Sequence, residues 1–278
     1  MNTGKFAKTE KTVPQVFDRN LLRQKRRRAA KRTGDHGFLH NKTAEGLFER
    51  LMPVKAPLVD CLVWGGHTDR LCRLLKEQDS ARRIYWADLS PEMLSRFDSL
   101  DLPHFYRVAA DEEFVPFKDG AMDAVFSNLT LHSVNDLKGS LLQIRRILKP
   151  ERPFMAALFG GATLAGLRQE VLRLEMEQTG GAAPRIFPFT DIRVIGDAVK
   201  ALGFAEPVTD SEYVTIDYPD LETALADLRG TGEGNILLNR DKKPLPRKFY
   251  TALNDRIKEH GKLSVEMEII YMIGWSPS

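Results

Sequence analysis

Five short apolar runs punctuate the chain: PLVDCLVW (57–64), RRIYWA (82–87), HFYRVAA (104–110), MDAVFSN (122–128) and PFMAALF (153–159). Helical stretches lie between several of them. Residues 68–79 place Leu71, Leu74 and Leu75 on one side. Ser90 and Pro91 open another helix as N-cap and first helical residue. Residues 136–148 repeat Leu137, Leu141, Ile144 and Leu148 at steps of four, three and four. This alternation predicts an α/β fold, a parallel sheet with helices on both faces. Right-handed crossovers gather the carboxyl ends of the strands on one edge, where such sheets bind ligands. Gly65, Asp88, Asp111 and Asn128 stand at those ends. Past Gly161, helices are expected near 163–178 and 190–202, a strand at 212–218, a helical pair over 220–230 and 246–260, and a closing strand at 264–275.

Each strand end suggests a chemistry. Gly65 and Gly66 permit one close backbone approach to a ligand. Neither G-x-G-x-x-G nor a P-loop is present, and Asp69 stands where a further glycine would complete the turn. Asp88, downstream of that turn, suits a ribose, because a carboxylate accepts from two vicinal hydroxyls. Asp111 and Glu112 are open to several readings: acceptors for an exocyclic amine such as adenine N6, a general acid/base pair, a divalent-metal site, or a solvated loop. No histidine at useful spacing supports a metal, so none is expected. His67 and His132 are the acid/base candidates, against a structural role for each. No Ser-His-Asp arrangement appears.

Charge divides the chain unevenly. Net charge is +3, yet residues 1–33 carry eleven Lys or Arg against two acids, which makes an arm of +9 before a body of −6. Val16, Phe17, Leu21 and Leu22 give that arm an apolar side, so residues 16–33 are expected to form a helix that lies on a surface. No nucleic-acid motif accompanies the basic run, and a solvated arm or one docked onto the chain's own body is preferred to tracking phosphates. No apolar run approaches ~20 residues, so no membrane span is expected. Two cysteines, Cys61 and Cys72, suit a reducing compartment. A cytoplasmic protein is the expectation, with its oligomeric state open.

Residues 111–168 resemble one branch of the class I S-adenosylmethionine-dependent methyltransferases. That branch contains the complex I assembly-factor arginine hydroxylase and its alphaproteobacterial relatives. VFDRNLLRQKRRRAA (16–30), PFTDIRVIGDAVKALGF, YPDLETALADLRGTGEGNILLNR and YMIGW extend the resemblance over nearly the whole chain past residue 14. It implies a Rossmann-like seven-stranded sheet with an antiparallel final strand. The domain plan is a basic arm (1–33) and a methyltransferase-like domain (34–278), divided into a cofactor half (34–161) and a sheet-completing substrate lid (162–278).

By residue matching, S-adenosylmethionine is the implied cofactor, with Gly65 and Gly66 at its turn. Asp88 and Leu89 would meet its ribose, Asp111 and Glu112 its adenine, and Asn128 and Leu129 its methionine side. The first motif departs from the family pattern, with Val63 where Asp is usual and Asp69 where Gly is usual. The resemblance implies an enzyme acting on a protein, an arginine of an NADH dehydrogenase subunit, by methylation or hydroxylation. A malonyl-acyl-carrier-protein methyltransferase and a non-catalytic assembly chaperone without cofactor are the alternatives.

Overall fold

The computed structural model describes residues 13–32, 34–97, 102–186, 188–259 and 261–278. The first twelve residues of the arm, and residue 33, lie outside these. Among the described residues one sheet of seven strands runs through the molecule, in the order β3-β2-β1-β4-β5-β7-β6. Strands β1 (Asp60–Trp64), β2 (Arg83–Asp88), β3 (Phe105–Ala109), β4 (Ala124–Asn128) and β5 (Pro153–Phe159) are parallel. Strand β7 (Leu263–Trp275) runs antiparallel to β5 on one side and to β6 (Ala205–Tyr218) on the other.

Burial explains the strand sequences. β1, β4 and β5 are buried along their whole length, which is why they read as continuous apolar runs. β6 is an edge strand, and its residues alternate between exposed and half-buried. It begins seven residues before the expected 212, through the polar stretch AEPVTDS, because backbone pairing to β7 holds it rather than any apolar pattern.

Helices cover both faces. On one, α2 (Phe38–Leu51) and α3 (Arg70–Gln78) contribute Leu39, Leu47, Leu71 and Leu75 to a core with Val63, Trp86 and Phe126. On the other, α5 (Leu137–Ile147) and α7 (Ile192–Ala201) pack Leu141, Ile144 and Ile195 against Leu62, Trp64 and Val125. Helix α2 has no counterpart among the sequence expectations. Its inward side carries the polar His40 and Thr43 beside its leucines, and its N-cap, Gly37, offers no side-chain hydrogen bond. Both usual signals are therefore muted.

A third cluster joins α6 (Ala165–Thr179), α8 (Leu221–Thr231) and α9 (Arg247–Glu259) through Leu174, Leu221, Phe249 and Leu253. Short α4 (Pro91–Ser95) follows β2 and starts with Pro91, as expected. Helix α1 (Arg19–Ala29) packs on α4 and α8. Among the described residues no helix is long and apolar enough to cross a membrane.

Candidate functional site

The arm enters the site along a short track. Phe17 forms an antiparallel bridge with Leu237: the Asp18 amide donates to Ile236 O (2.8 Å) and the Leu238 amide to Val16 O (2.9 Å). The amides of Val16 and Phe17 both donate to Asn135 Oδ1, at 2.8 and 2.7 Å. Asp18 then caps α1 by accepting from the Leu21 amide. Leu22 is fully buried against Ile236 and Leu237.

Helix phase turns two arginines inward with that leucine. Arg19, Leu22, Arg26 and Ala29 recur at steps of three, four and three, so they share one side. The guanidinium groups of Arg19 and Arg26 meet the carboxyl ends of β2 and β3. Arg26 is fully buried. Its Nη1 lies 3.4 and 3.3 Å from the two oxygens of Asp88, its Nη2 donates to Glu233 Oε1 at 3.0 Å, and Glu112 is 3.8 Å away. Arg19 donates to Asp111 Oδ1 at 2.6 Å and to Glu112 Oε2. Four carboxylates thus close on two guanidinium groups.

Burial disfavours each charge, and the opposite charges outweigh it. Burial would lower the Arg26 pKa, but Asp88, Glu233 and Glu112 hold it above its ordinary value. Burial would raise Glu233, but Arg26 first, then His132 and His67, keep it well below the usual carboxylate range.

Glu233 falls within YPDLETALADLRGTGEGNILLNR, a segment that carries the family resemblance, but the sequence pattern assigns it no role. The signal was there, a lone acid between two glycines. Gly232 has φ +79°, and a Cβ on it would meet the Arg26 backbone at 3.0 Å. Glycine lets α1 approach closely enough for Arg26 to reach its carboxylates.

The β1–α3 turn completes the site on the Asp88 side. Gly65 has φ +116°, and a Cβ there would lie 2.7 Å from Asn128 O, so only glycine passes. The Gly66 amide donates to Asp88 Oδ2 and the Ser90 amide to Asp88 Oδ1, both at 2.8 Å. Asp69 lies at the start of α3, where its carboxylate pairs with Arg73 at 2.7 Å. Leu89 and Asp111 border a shallow pocket beside Arg19. Asn128 faces elsewhere: its amide donates to His40 O at 2.9 Å and its oxygen accepts from Thr43 Oγ1 at 2.6 Å. Leu129 follows, buried, with φ +53°.

The histidines lie on the far side of Glu233. His67 Nε2 donates to Thr231 O at 2.8 Å and is 3.4 Å from Glu233. His132 Nε2 is 3.4 Å from the other Glu233 oxygen. His40 stacks on His67 at 4.1 Å, and burial, with His67 adding to it, holds its pKa well below 6.5. His40, His132 and Glu233 also line an apolar cavity of about 870 Å³, counting its open mouth. Phe38, Phe159, Phe189 and Met267 form part of its walls. Asp227, also in the lining, accepts from Tyr218 Oη at 2.6 Å and lies 3.0 Å from His36 Nδ1.

These residues do not fit an S-adenosylmethionine nucleoside while the arm is docked. Both Asp88 oxygens already serve a backbone amide and Arg26, and the side chain has no exposed surface.

Comparison with known proteins gives three kinds of likeness. Residues 62–155 match the family model described as a methyltransferase domain. The mitochondrial arginine hydroxylase NDUFAF5 of Danio rerio is 32% identical over 270 residues, 94% of this chain and 83% of that protein. The malonyl-[acyl-carrier protein] O-methyltransferase of Gallionella capsiferriformans is 29% identical over 95% of this chain and 92% of its own. Among solved structures, Haemonchus contortus phosphoethanolamine N-methyltransferase 2, bound to S-adenosylhomocysteine, superposes with a TM-score of 0.52 at 15% identity. That likeness covers 85% of this chain and 53% of the other, and speaks to the fold.

Proposed function

We propose, on the premise that this chain belongs to the family of the arginine hydroxylase NDUFAF5, that it is an enzyme on the methyltransferase fold that modifies an arginine of a protein substrate. An NADH dehydrogenase subunit is the proposed substrate. S-adenosylmethionine is the proposed cofactor. Asp88 and Leu89 would hold its ribose and Asp111 and Glu112 its adenine, with Gly65, Gly66, Asn128 and Leu129 along the remainder, once the arm has withdrawn.

The acidic box carries this reading. It grips guanidinium groups, and one of its members, Glu233, also lines the apolar cavity. An arginine side chain has the same two halves, an aliphatic stem and a planar fork of donors. The stem would lie in the cavity, with α6, α8 and α9 as the lid, and the fork would meet Glu233. His132, 3.4 Å from Glu233, stands where it can take a proton from that fork.

Mass spectrometry of the substrate subunit, with and without this enzyme, tests the reading. A gain of one methylene means methylation and one oxygen hydroxylation. Glu233→Gln should abolish either. An unmodified subunit in the presence of folded enzyme would sink the proposal.

The apolar cavity supports a second reading, methyl transfer to a malonyl thioester, since its walls suit an acyl chain. Rescue of a biotin auxotroph would favour it, and failure by well-folded protein would count against it.

A further inference from the structure

We propose that the acidic box is one site with two mutually exclusive occupants, the chain's own arm and the nucleoside half of S-adenosylmethionine. The arm therefore has to leave before the cofactor enters. This rests on the cofactor assignment above, and not on the acceptor or the group transferred.

The overlap follows from counting lone pairs. A ribose needs both Asp88 oxygens for its two hydroxyls. Here Oδ2 accepts from the Gly66 amide and Oδ1 from the Ser90 amide, and Arg26 Nη1 sits across the two. The side chain is fully buried, so no ribose reaches it past Arg26. At the adenine end Arg19 stands over the two carboxylates, though Glu112 Oε1 is left without a hydrogen bond. Asp111 Oδ1 accepts from the Glu113 amide and Arg19, and Glu112 Oε2 accepts from Arg19.

Charge weights the equilibrium toward the docked arm. Asp88, Asp111, Glu112 and Glu233 leave an acidic hollow once two guanidinium groups depart. The nucleoside half of S-adenosylmethionine brings hydroxyl and amine donors but no cation in their place, and an anionic ligand would be repelled. Asp69 adds no obstacle, since its carboxylate is turned to Arg73.

Outside the box the arm is held by non-covalent contacts alone. These include the short bridge to Leu237, the bonds between Asn135 and the backbone of Val16 and Phe17, Arg19 to Ser133, the cluster around Leu22, and the pairs Asp18–Arg240 and Arg27–Glu92. Gly232 shapes the seat for α1, so the segment carrying Glu233 is built to receive the arm as well as to line the cavity.

The test uses the full chain and reads binding and arm protection rather than turnover. S-adenosylmethionine is titrated by calorimetry into wild type, Arg26→Gln and Asn135→Ala. Asn135→Ala loosens the arm at a point outside the box, and covers the case in which Arg26→Gln does not fold. Amide hydrogen exchange across residues 16–30 is followed in the same samples. Both variants should bind about tenfold or more tightly than wild type, because less of the protein is held in the closed form. Cofactor binding to wild type should speed exchange across 16–30. Binding with exchange there unchanged or slowed would overturn the proposal and leave the proposed reaction standing. Folded variants that bind no more tightly than wild type would also overturn it. If no protein binds at millimolar cofactor, the cofactor assignment falls with it.

Discussion

Arg26→Gln isolates the energetics of the box. The substitution keeps a hydrogen-bonding amide near Glu233 but removes the charge shared by Asp88, Glu233 and Glu112, which lie 3.3, 3.0 and 3.8 Å from the guanidinium. Three carboxylates, each with little or no exposure, then face one another with Arg19 as the remaining guanidinium. Removing one partner from a buried ion pair costs about 3–5 kcal/mol, because the partner left behind is desolvated and uncompensated. A loss near 4 kcal/mol should lower Tm by roughly 10 °C.

The loss should depend on pH in a definite direction. In wild type the folded pKa of Glu233 is far below its unfolded value near 4.5, so its stabilisation is fully present above that value and is lost as pH falls through the folded one. In Arg26→Gln, the largest opposition to burial is gone and Glu233 takes up a proton more readily. The gap between the proteins should therefore be widest near neutrality and narrow on acidification. Urea unfolding followed by the fluorescence of Trp64 and Trp86, both fully buried, measures it at each pH. A gap below about 1 kcal/mol at neutral pH is what an exposed ion pair gives. That result, or a gap that widens in acid, would refute the reasoning.

Other perturbations test separate parts of the site. His40 is held well below 6.5 in the folded protein, so the unfolded chain alone takes up its proton and wild type should lose stability as pH falls below about 6.5. His40→Asn should flatten that limb in melts between neutral and mildly acid pH, and an unchanged slope would exclude His40 as its source. Gly232→Ala places a Cβ at φ +79° and 3.0 Å from the Arg26 backbone. The backbone term alone should cost about 1 kcal/mol, and trypsin should cut α1 sooner than in wild type. Leu225→Trp fills part of the apolar cavity lined by Leu225. It should abolish substrate modification while leaving S-adenosylmethionine affinity within about twofold by calorimetry. A parallel loss of both would mean that the cavity and the nucleoside site are one.

Much of the frame was legible because it depends on local patterns. The runs at 57–64, 122–128 and 153–159 belong to central strands buried on both faces, so they read as continuous apolar stretches. The spacing of Leu137, Leu141, Ile144 and Leu148 marked α5 directly. The positions of Gly65, Asp88, Asp111 and Asn128 at strand ends followed from that alternation. Helix α2 escaped because His40 and Thr43, polar in sequence, are buried in the structure. His40 stacks on His67, and Thr43 bonds Asn128 across 85 residues of chain.

The sequence by itself determined a parallel sheet with acids at its ligand edge, and a basic arm in need of a surface. These follow from periodicity, run length and charge, which neighbouring residues carry among themselves. Only the tertiary structure decided what fills that edge. Arg26, Arg27 and Arg28 are three identical side chains in a row, yet Arg26 is fully buried while Arg27 and Arg28 face solvent. The difference is set by helix phase relative to Leu22 and Ala29, and by Gly232, Glu233 and Gly234, some two hundred residues away in sequence. A buried charge is tolerated only where opposite charges wait for it, and those lie at the end of β2, just past β3 and after α8, which only the folded chain brings together.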